Sequence, residues 1–318
     1  MDVLERIGLT GLVPVVVVES AEEAVRTAEA LLAGGVGVME ITLRTDAGIE
    51  AIRAVKKAVP SMLIGAGTVL TVEKAEEAKA AGAEFIVMPG FNEDIVRWCM
   101  ERDIPVVPGC VTPTEIDRAL KYNLRILKFF PASIYGGLKG MKALNGPYRQ
   151  ISFIPTGGVD LENLADYGSE SCIHAVGGSW LCSTKDITAG NFEKITAVAK
   201  ESVRRFLGFE PAHVGINSSD ENAALSLATL FYEAFGFETK PGNTSVFAGP
   251  GIEITKTPGP GKNGHLAVRT NNIHRAVFYL QNRGFTVDED SKKMKNDALI
   301  AVYLEQEFCG FAVHLVQK

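Results

Sequence analysis

Eight short apolar runs, rich in β-branched residues, recur through the first 208 residues of this 318-residue chain. Their mean spacing is about 23 residues, which leaves room for a helix after each one. Two of the intervening stretches, Ala21–Ala33 and Val72–Ala81, have helical patterning and end at glycine. The runs are Leu12–Glu19, Val36–Arg44, Met62–Val69, Glu84–Gly90, Pro105–Cys110, Ile126–Pro131, Ser152–Gly158 and Ala175–Trp180. Eight strand–helix units in so short a segment predict an α/β fold, a closed (β/α)8 TIM barrel rather than an open sheet.

The sequence pattern changes around Gly208–Val214, and we place a domain boundary there, between residues 1–208 and 209–318. Beyond the boundary, a strand, a helix and several short strands occur twice. His213 and His265 stand at the start of the two repeats, 52 residues apart, and each repeat has a helix followed by a Gly-Phe pair. This internal repeat predicts a smaller α+β domain of paired βαβββ modules.

Charge and composition narrow the range of partners. The chain has a net charge of −6 without a Lys/Arg cluster, so we expect no nucleic-acid partner. The apolar stretch near the N-terminus is short and follows Asp2 and Glu5, which is unlike a signal peptide or a membrane span. Five scattered cysteines without CxxC spacing are typical of reduced intracellular thiols. We therefore expect a cytoplasmic protein that acts on small molecules and not at a membrane.

The second predicted strand places Glu40, Thr42 and Arg44 on one face, because strand side chains alternate. In a barrel strand with helices outside, this polar face must point inward. A carboxylate and a guanidinium buried together near the end of the strand favour a binding or catalytic site. The alternative is a buried ion pair that only braces the barrel.

One lysine, Lys128, lies within the strongly apolar sixth strand. Burial disfavours an ammonium ion, and the neutral amine can attack a carbonyl carbon to form an imine. Lys128 is therefore the candidate nucleophile. The alternative is a lysine whose ammonium reaches solvent at the end of the strand.

Paired glycines end the seventh and eighth strands, in Thr156-Gly157-Gly158 and Gly177-Gly178-Ser179. Glycine lets backbone N–H groups approach an anion closely, and barrels commonly bind phosphate beside these two loops. The alternative is that the glycines serve only the turns.

Taken in order, these segments resemble the bacterial 2-keto-3-deoxy-6-phosphogluconate (KDPG) and 4-hydroxy-2-oxoglutarate (KHG) aldolases over residues 1–205. The segments are EITLRT (40–45), GAGTV (65–69), MPG (88–90), KFFPA (128–132), PTGG (155–158) and GGSW (177–180). The resemblance implies a class I aldolase without a metal cofactor, commonly a homotrimer. Such an enzyme cleaves a phosphorylated 2-keto-4-hydroxy acid, KDPG, to pyruvate and glyceraldehyde 3-phosphate, and also KHG to pyruvate and glyoxylate.

The resemblance also implies roles for individual residues. Lys128 matches the Schiff-base lysine and Glu40 the general acid/base. The substrate-binding candidates are Arg44 and Thr68 around the pyruvate carboxylate, Pro89 and Phe130 in the wall, and Thr156, Gly157, Gly158, Gly178 and Ser179 in the strand-end loops, of which the glycines and Ser179 match the phosphate site. Ser133 stands where the family often has an acidic residue.

Four nitrogen or oxygen donors occur at related places in the C-terminal repeat: His213, Glu253, His265 and His314. Such donors can bind a divalent metal, although they are also ordinary polar residues of half-exposed strands. The segments HVGIN (213–217), IEITKT (252–257) and GHLAVRT (264–270) resemble the glyoxalase/bleomycin-resistance/dioxygenase (vicinal oxygen chelate) superfamily. That resemblance implies a metal at these four residues.

Two other functions are compatible with the sequence. A phosphate-binding barrel isomerase or epimerase would share the glycine loops but would not need the buried lysine. A small-molecule binding protein would use the C-terminal half, with the barrel as its scaffold.

Overall fold

The computed structural model describes residues 1–318, which form two compact units, Met1–Phe206 and Leu207–Lys318. No helix in it is long and apolar enough to cross a membrane. None of the five cysteines forms a disulfide.

The first unit alternates parallel strands with helices. Its strands are β1 (Leu12–Val16), β2 (Val38–Thr42), β3 (Leu63–Gly67), β4 (Phe85–Val87), β5 (Val106–Val107), β6 (Ile126–Phe129), β7 (Ser152–Pro155) and β8 (Val176–Gly178). Its helices are α1 (Val3–Thr10), α2 (Ala21–Ala33), α3 (Gly48–Ala58), α4 (Val72–Ala81), α5 (Glu93–Met100), α6 (Pro113–Lys121), α7 (Gly137–Asn145), α8 (Leu164–Gly168), α9 (Thr184–Thr188) and α10 (Phe192–Leu207), the last of which ends just beyond the unit. The predicted α/β fold is confirmed, and so are the bounds of α2 and α4.

The strands form a curled, wholly parallel arrangement. Six strands pair in the order β5-β4-β3-β2-β1-β8, and β6 pairs with β7. Single parallel bridges join Gly109 to Lys128 and Thr156 to Gly177. Each strand is shorter than the apolar run that predicted it, because the last residues of the run belong to the turn that leads into the next helix.

A cluster of apolar residues fills the interior at the N-terminal ends of the strands. Val13, Val38, Leu63 and Phe85 pack there with Ile7 of α1, all at most 2% exposed. Because Glu40 follows Val38 by two residues, it points to the same interior, one layer closer to the C-terminal ends of the strands. The polar site therefore rests on an apolar floor.

The second unit is one eight-stranded sheet with two main helices. Its elements are β9 (Glu210–Asn217), α11 (Glu221–Phe235), β10 (Thr239–Pro241), β11 (Ser245–Ala248), β12 (Ile252–Thr255), β13 (His265–Thr270), α12 (Ile273–Gln281), a short 3-10 helix at Glu289–Ser291, β14 (Lys293–Lys295), β15 (Ala298–Tyr303) and β16 (Ala312–Gln317). The strand order is β10-β11-β12-β9-β13-β16-β15-β14. The first strand of each repeat thus lies in the middle of the sheet, where β9 and β13 pair antiparallel.

Helix α11 packs on one face of the sheet. Ala224 and Ala228 of the helix form a buried cluster with Val246, Ala248 and Ile254 of β11 and β12. Because side chains alternate along a strand, the neighbouring residues of β11 and β12 point to the opposite face. That opposite face carries the histidines described below.

Gly236 ends α11 in the left-handed region, with φ at +69°, and its N–H donates to backbone carbonyls of the helix. An alanine there has free space around it but must adopt a conformation that costs about 1 kcal/mol. We expect Gly236→Ala to lower the melting temperature of the second unit by several degrees in calorimetry of the whole chain. Gly251→Ala, which has equal space and no positive φ, is the control and should shift it by less than half as much; equal shifts would contradict the prediction.

Candidate active site

The centre of the first unit is an ion pair between Lys128 of β6 and Glu40 of β2. The lysine Nζ lies 3.1 Å from Oε1 and 3.5 Å from Oε2 of the carboxylate. The two side chains are only 5% and 3% exposed, so the ammonium does not extend into solvent. Removing two charges from water carries a desolvation cost that often exceeds their attraction. Such a pair is weak support for stability and stronger support for a chemical role.

Gly67 makes room for Glu40. It ends β3, the strand beside β2, and a methyl group on it would overlap the Glu40 side chain, from Cγ to the carboxylate. Gly67 belongs to the GAGTV segment of the resemblance, but the sequence did not show that it sets the position of Glu40. A segment of two glycines next to the strand that carries the carboxylate is the signal that could have revealed it.

Arg44 does not share the interior with Glu40, and this part of the prediction is wrong. Strand β2 ends at Thr42 and the chain then turns toward α3, so Arg44 lies beyond the strand and is exposed. Its Nε donates to the hydroxyl of Thr68 across 3.2 Å. Thr68 has a positive φ of 58°, unusual for a β-branched residue. The two residues predicted to hold the substrate carboxylate are therefore in contact at the rim.

The predicted wall residues lie close to the lysine. The Phe130 ring centroid is 5.5 Å from Lys128 Nζ. Pro89 follows β4, and its carbonyl oxygen packs against Gly109. A side chain at position 109 would overlap this oxygen. Gly109 in turn forms the bridge to Lys128. The half-buried Pro89 is thus placed beside the strand that carries the nucleophile.

The glycine loops that follow β7 and β8 meet through Thr156 and Gly177. Gly157 and Gly158 have positive φ, at 91° and 82°. The hydroxyl of Thr156 is buried without a hydrogen-bond partner and lies against Gly177, where a methyl group would overlap it. A buried hydroxyl without a partner costs free energy, which makes Thr156 a candidate contact for a ligand.

The loop after β6 also touches the glycines. Ser133 donates its backbone N–H to the carbonyl of Gly157 across 3.1 Å, and its side chain occupies the space beside Gly158. Gly178 is buried under the ring of Trp180, whereas Ser179 is exposed. The loops after β6, β7 and β8 are therefore in contact with one another, through Ser133 with Gly158 and Thr156 with Gly177.

The four donors predicted in the second unit come together. One nitrogen of each of His213, His265 and His314 lies within 4.8 Å of the others. Oε2 of Glu253 is 2.8 Å from His213 Nε2 and 3.2 Å from His265 Nε2. The repeat explains the convergence, because β9 and β13 are neighbours and β12 and β16 flank them.

The electrostatics of this cluster suit a cation. Hydrogen bonds with His213 and then His265 hold the pKa of Glu253 well below its usual range, against the effect of burial. Burial, with the neighbouring His265 and His213, lowers the pKa of His314 to about 3, so its imidazole is neutral at pH 7. Both ring nitrogens of His314 are buried without hydrogen-bond partners. A carboxylate and imidazoles, one of them with both ring nitrogens unpartnered, are ligands that a divalent transition metal accepts.

The sequence did not reveal two aromatic neighbours of the cluster. Phe247 of β11 lies opposite Glu253 in the strand register, and Tyr303 of β15 lies opposite His314. Phe247 is on β11, next to β12, which carries Glu253. Tyr303 is on β15, next to β16, which carries His314. An aromatic residue at related places in both repeats is the signal that could have identified them.

A buried lysine paired with a carboxylate is the site expected of an enzyme that forms a Schiff base. A family model described as KDPG and KHG aldolase matches residues 3–198, and the chain belongs to this family. Its first unit is therefore a class I aldolase, a carbon–carbon lyase that uses a lysine Schiff base and no metal.

Two curated relatives have the same identity to this chain. The 2-dehydro-3-deoxy-phosphogluconate aldolase of Treponema pallidum is 44% identical over 203 residues, which cover 64% of this chain and 95% of the relative. The KHG/KDPG aldolase of Escherichia coli K12 is 44% identical over 200 residues, 63% of this chain and 94% of the relative. The family match ends at residue 198, so it concerns the first unit only.

Solved structures are similar over the same share of the chain. The KDPG aldolase of Legionella pneumophila, with pyruvate captured as a covalent carbinolamine intermediate, has a TM-score of 0.61 and 34% identity and covers 63% of this chain and 97% of its own. The Zymomonas mobilis enzyme, solved with 3-phosphoglycerate, has a TM-score of 0.58 and 37% identity and covers 63% and 94%.

We expect Gly67→Ala to lower aldol cleavage about 10²-fold or more, because the new methyl group displaces Glu40 from Lys128. The loss should appear in kcat, and the melting temperature should also fall, because displacing Glu40 leaves Lys128 without its buried partner. Gly90→Ala, at a glycine with open space around it, is the matched control. Equal activities of the two variants would show that Gly67 does not position the carboxylate.

Proposed function

We propose that the first unit cleaves KDPG to pyruvate and glyceraldehyde 3-phosphate, and also KHG to pyruvate and glyoxylate. The observation that carries this proposal is the buried 3.1 Å contact between Lys128 and Glu40. It favours aldol cleavage over the isomerase, epimerase and scaffold alternatives, since none of these needs an amine inside the sheet. Membership of the aldolase family supports the same choice.

In this mechanism Lys128 Nζ, once it has given up a proton, adds to the C2 carbonyl of the keto acid. Glu40 delivers the proton that lets the resulting hydroxyl leave as water, which gives an iminium ion. Glu40 then accepts the C4 hydroxyl proton as the C3–C4 bond breaks and its electrons move toward the iminium. The aldehyde departs, the enamine is protonated at C3, and water releases pyruvate and restores the lysine.

The carboxylate and phosphate ends of the substrate are assigned to residues that follow the C-terminal ends of the strands. Arg44, held by Thr68, binds the carboxylate through its guanidinium, and Phe130 and Pro89 form the wall beside C2 and C3. Gly157, Gly158, Gly178 and Ser179 bind the phosphate, with Thr156 donating its unpartnered hydroxyl to the substrate. The phosphorylated ligand of the Zymomonas mobilis structure supports a phosphate end.

We also propose that the eight strands of the first unit close into a (β/α)8 barrel and that the domains are 1–208 and 209–318. The bridges between Gly109 and Lys128 and between Thr156 and Gly177 support closure, since they link the two sheets at both of their edges. The compact units 1–206 and 207–318 support the boundary. The homotrimer and the cytoplasmic location stay predictions.

A second function is proposed for residues 209–318, a glyoxalase-like domain that binds a divalent metal. His213, Glu253, His265 and His314 would hold the ion, and their convergence together with the unpartnered nitrogens of His314 supports the fit. The order of strands, with two βαβββ halves joined through β9 and β13, supports the vicinal oxygen chelate resemblance. When bound, the metal would act as a Lewis acid toward an oxygen-bearing ligand.

Lys128→Arg should lower pyruvate release from KDPG by about 10³-fold or more, because a guanidinium keeps the charge beside Glu40 but does not form an imine. Glu40→Gln should lower kcat by about 10²- to 10⁴-fold. Pyruvate is followed by a coupled dehydrogenase assay on the whole chain. The control, Lys121→Arg at the exposed end of α6, should retain wild-type activity; wild-type turnover by Lys128→Arg would reject the mechanism.

The whole chain should bind one equivalent of Zn²⁺, Co²⁺ or Ni²⁺ after dialysis, measured by elemental analysis. His265→Ala should remove that equivalent, whereas His274→Ala, at an exposed histidine of α12, should retain it. A chelator should leave pyruvate release unchanged, since the first unit uses no metal. A wild-type chain without any bound metal would exclude the site.

A further inference from the structure

Three of the four donors in the second unit hold one another in place. Oε2 of Glu253 lies within hydrogen-bonding distance of both His213 and His265, whose Nε2 atoms are themselves 3.2 Å apart. These contacts fix the two rings in a convergent arrangement before any ligand binds. His314, the fourth donor, takes no part in this network.

No protein group hydrogen-bonds to the imidazole ring of His314. The residue is only 6% exposed, and both of its ring nitrogens are buried without a hydrogen-bond partner. A histidine that binds a metal is usually oriented by a hydrogen bond to its other ring nitrogen. Without one, rotation about the terminal torsion of an imidazole is broad and roughly two-fold. Something other than a hydrogen bond must therefore set the orientation of this ring.

The ring of Tyr303 lies flat against His314. Their centroids are 4.5 Å apart and their planes differ by 14°, the geometry of a stacked pair. The contact follows from the sheet register, in which Tyr303 of β15 is directly opposite His314 of β16. The other rings near His314, those of His213 and His265, meet it at 59° and 79°. Tyr303 is thus the planar surface that the imidazole packs on.

We propose that Tyr303 is a positioning residue of the metal site, which holds His314 in its ligating orientation by stacking instead of by a hydrogen bond. The inference rests on the metal site proposed above. It assigns the effect to the aromatic face of Tyr303, since stacked rings attract each other and resist rotation of the imidazole away from the plane parallel to the tyrosine ring. Pre-organised ligands bind a metal more tightly because less conformational freedom is lost on binding.

The internal repeat provides a matched comparison. Phe247 lies opposite Glu253 in the first half, as Tyr303 lies opposite His314 in the second. Phe247 is half-buried like Tyr303, but its ring meets that of His213 edge to face, at 5.6 Å and 88°. His213 already has the carboxylate of Glu253 at 2.8 Å. Removing the Phe247 ring should therefore leave the orientation of His213 largely unchanged.

The test is a titration of the metal-free whole chain with Co²⁺, followed by the visible absorption of the bound ion. Tyr303→Leu should weaken the Kd about 10- to 100-fold and alter the absorption spectrum, the effect expected when an orienting partner of a ligand is lost. Tyr303→Phe, which keeps the aromatic face, should remain within about 3-fold of the wild type. Phe247→Leu should remain in the same narrow range.

The outcomes separate the two proposals. A wild-type chain that gives no Co²⁺ spectrum would overturn the metal site itself. Tight binding by the wild type and equally tight binding by Tyr303→Leu would overturn only the role of Tyr303. Equal losses in Tyr303→Leu and Phe247→Leu, or a loss in Tyr303→Phe as large as in Tyr303→Leu, would also overturn it. If the leucine variant does not fold, Tyr303→Met fills the space without a planar face and should show the same loss.

Discussion

The contact on which the first unit depends is the buried ion pair between Lys128 and Glu40. Neither charge would be tolerated in this interior alone, because an unpaired buried charge costs several kcal/mol. The pair is placed by the strands themselves: β2 and β6 present one residue each at the same height, above an apolar floor that includes Ile7, Val38 and Phe85. Proximity of an amine and a carboxylate to one carbonyl is the main requirement of Schiff-base aldol chemistry.

The surroundings of the pair depend on small residues. Gly67 leaves the space in which the Glu40 carboxylate lies, and Gly109 lets the loop after β4 approach the strand that carries Lys128. Further polar groups lie around the pair, beyond the C-terminal ends of the strands. Arg44 and Thr68 meet on one side, and Thr156 offers a buried hydroxyl among the glycines on the other. In the proposed mechanism these groups hold the anionic ends of the substrate while its carbonyl faces Lys128.

Much of this could be predicted from the sequence, since β-branched runs, their spacing and a lone lysine in an apolar strand are local patterns. The burial of Glu40 followed from alternation along its strand, and that of Lys128 from the apolar residues around it in the sixth strand. The prediction that Arg44 points inward is wrong because side chains alternate only within a strand, and β2 ends at Thr42, two residues before Arg44. The contacts of Gly67 with Glu40 and of Tyr303 with His314 depend on the register between neighbouring strands, which a single sequence does not specify. The repeat indicated four metal donors, but not that Glu253 ties His213 and His265 together while His314 packs on the ring of Tyr303.

The central claim is that Lys128 forms the covalent bond with the keto acid. Borohydride reduction of the whole chain in the presence of pyruvate, followed by peptide mapping with mass spectrometry, tests it most directly. The predicted result is one reduced pyruvate adduct per chain, on Lys128, with loss of activity in proportion to the modification. An active chain that gives no adduct on Lys128, or an adduct on another lysine that abolishes activity, would contradict the claim.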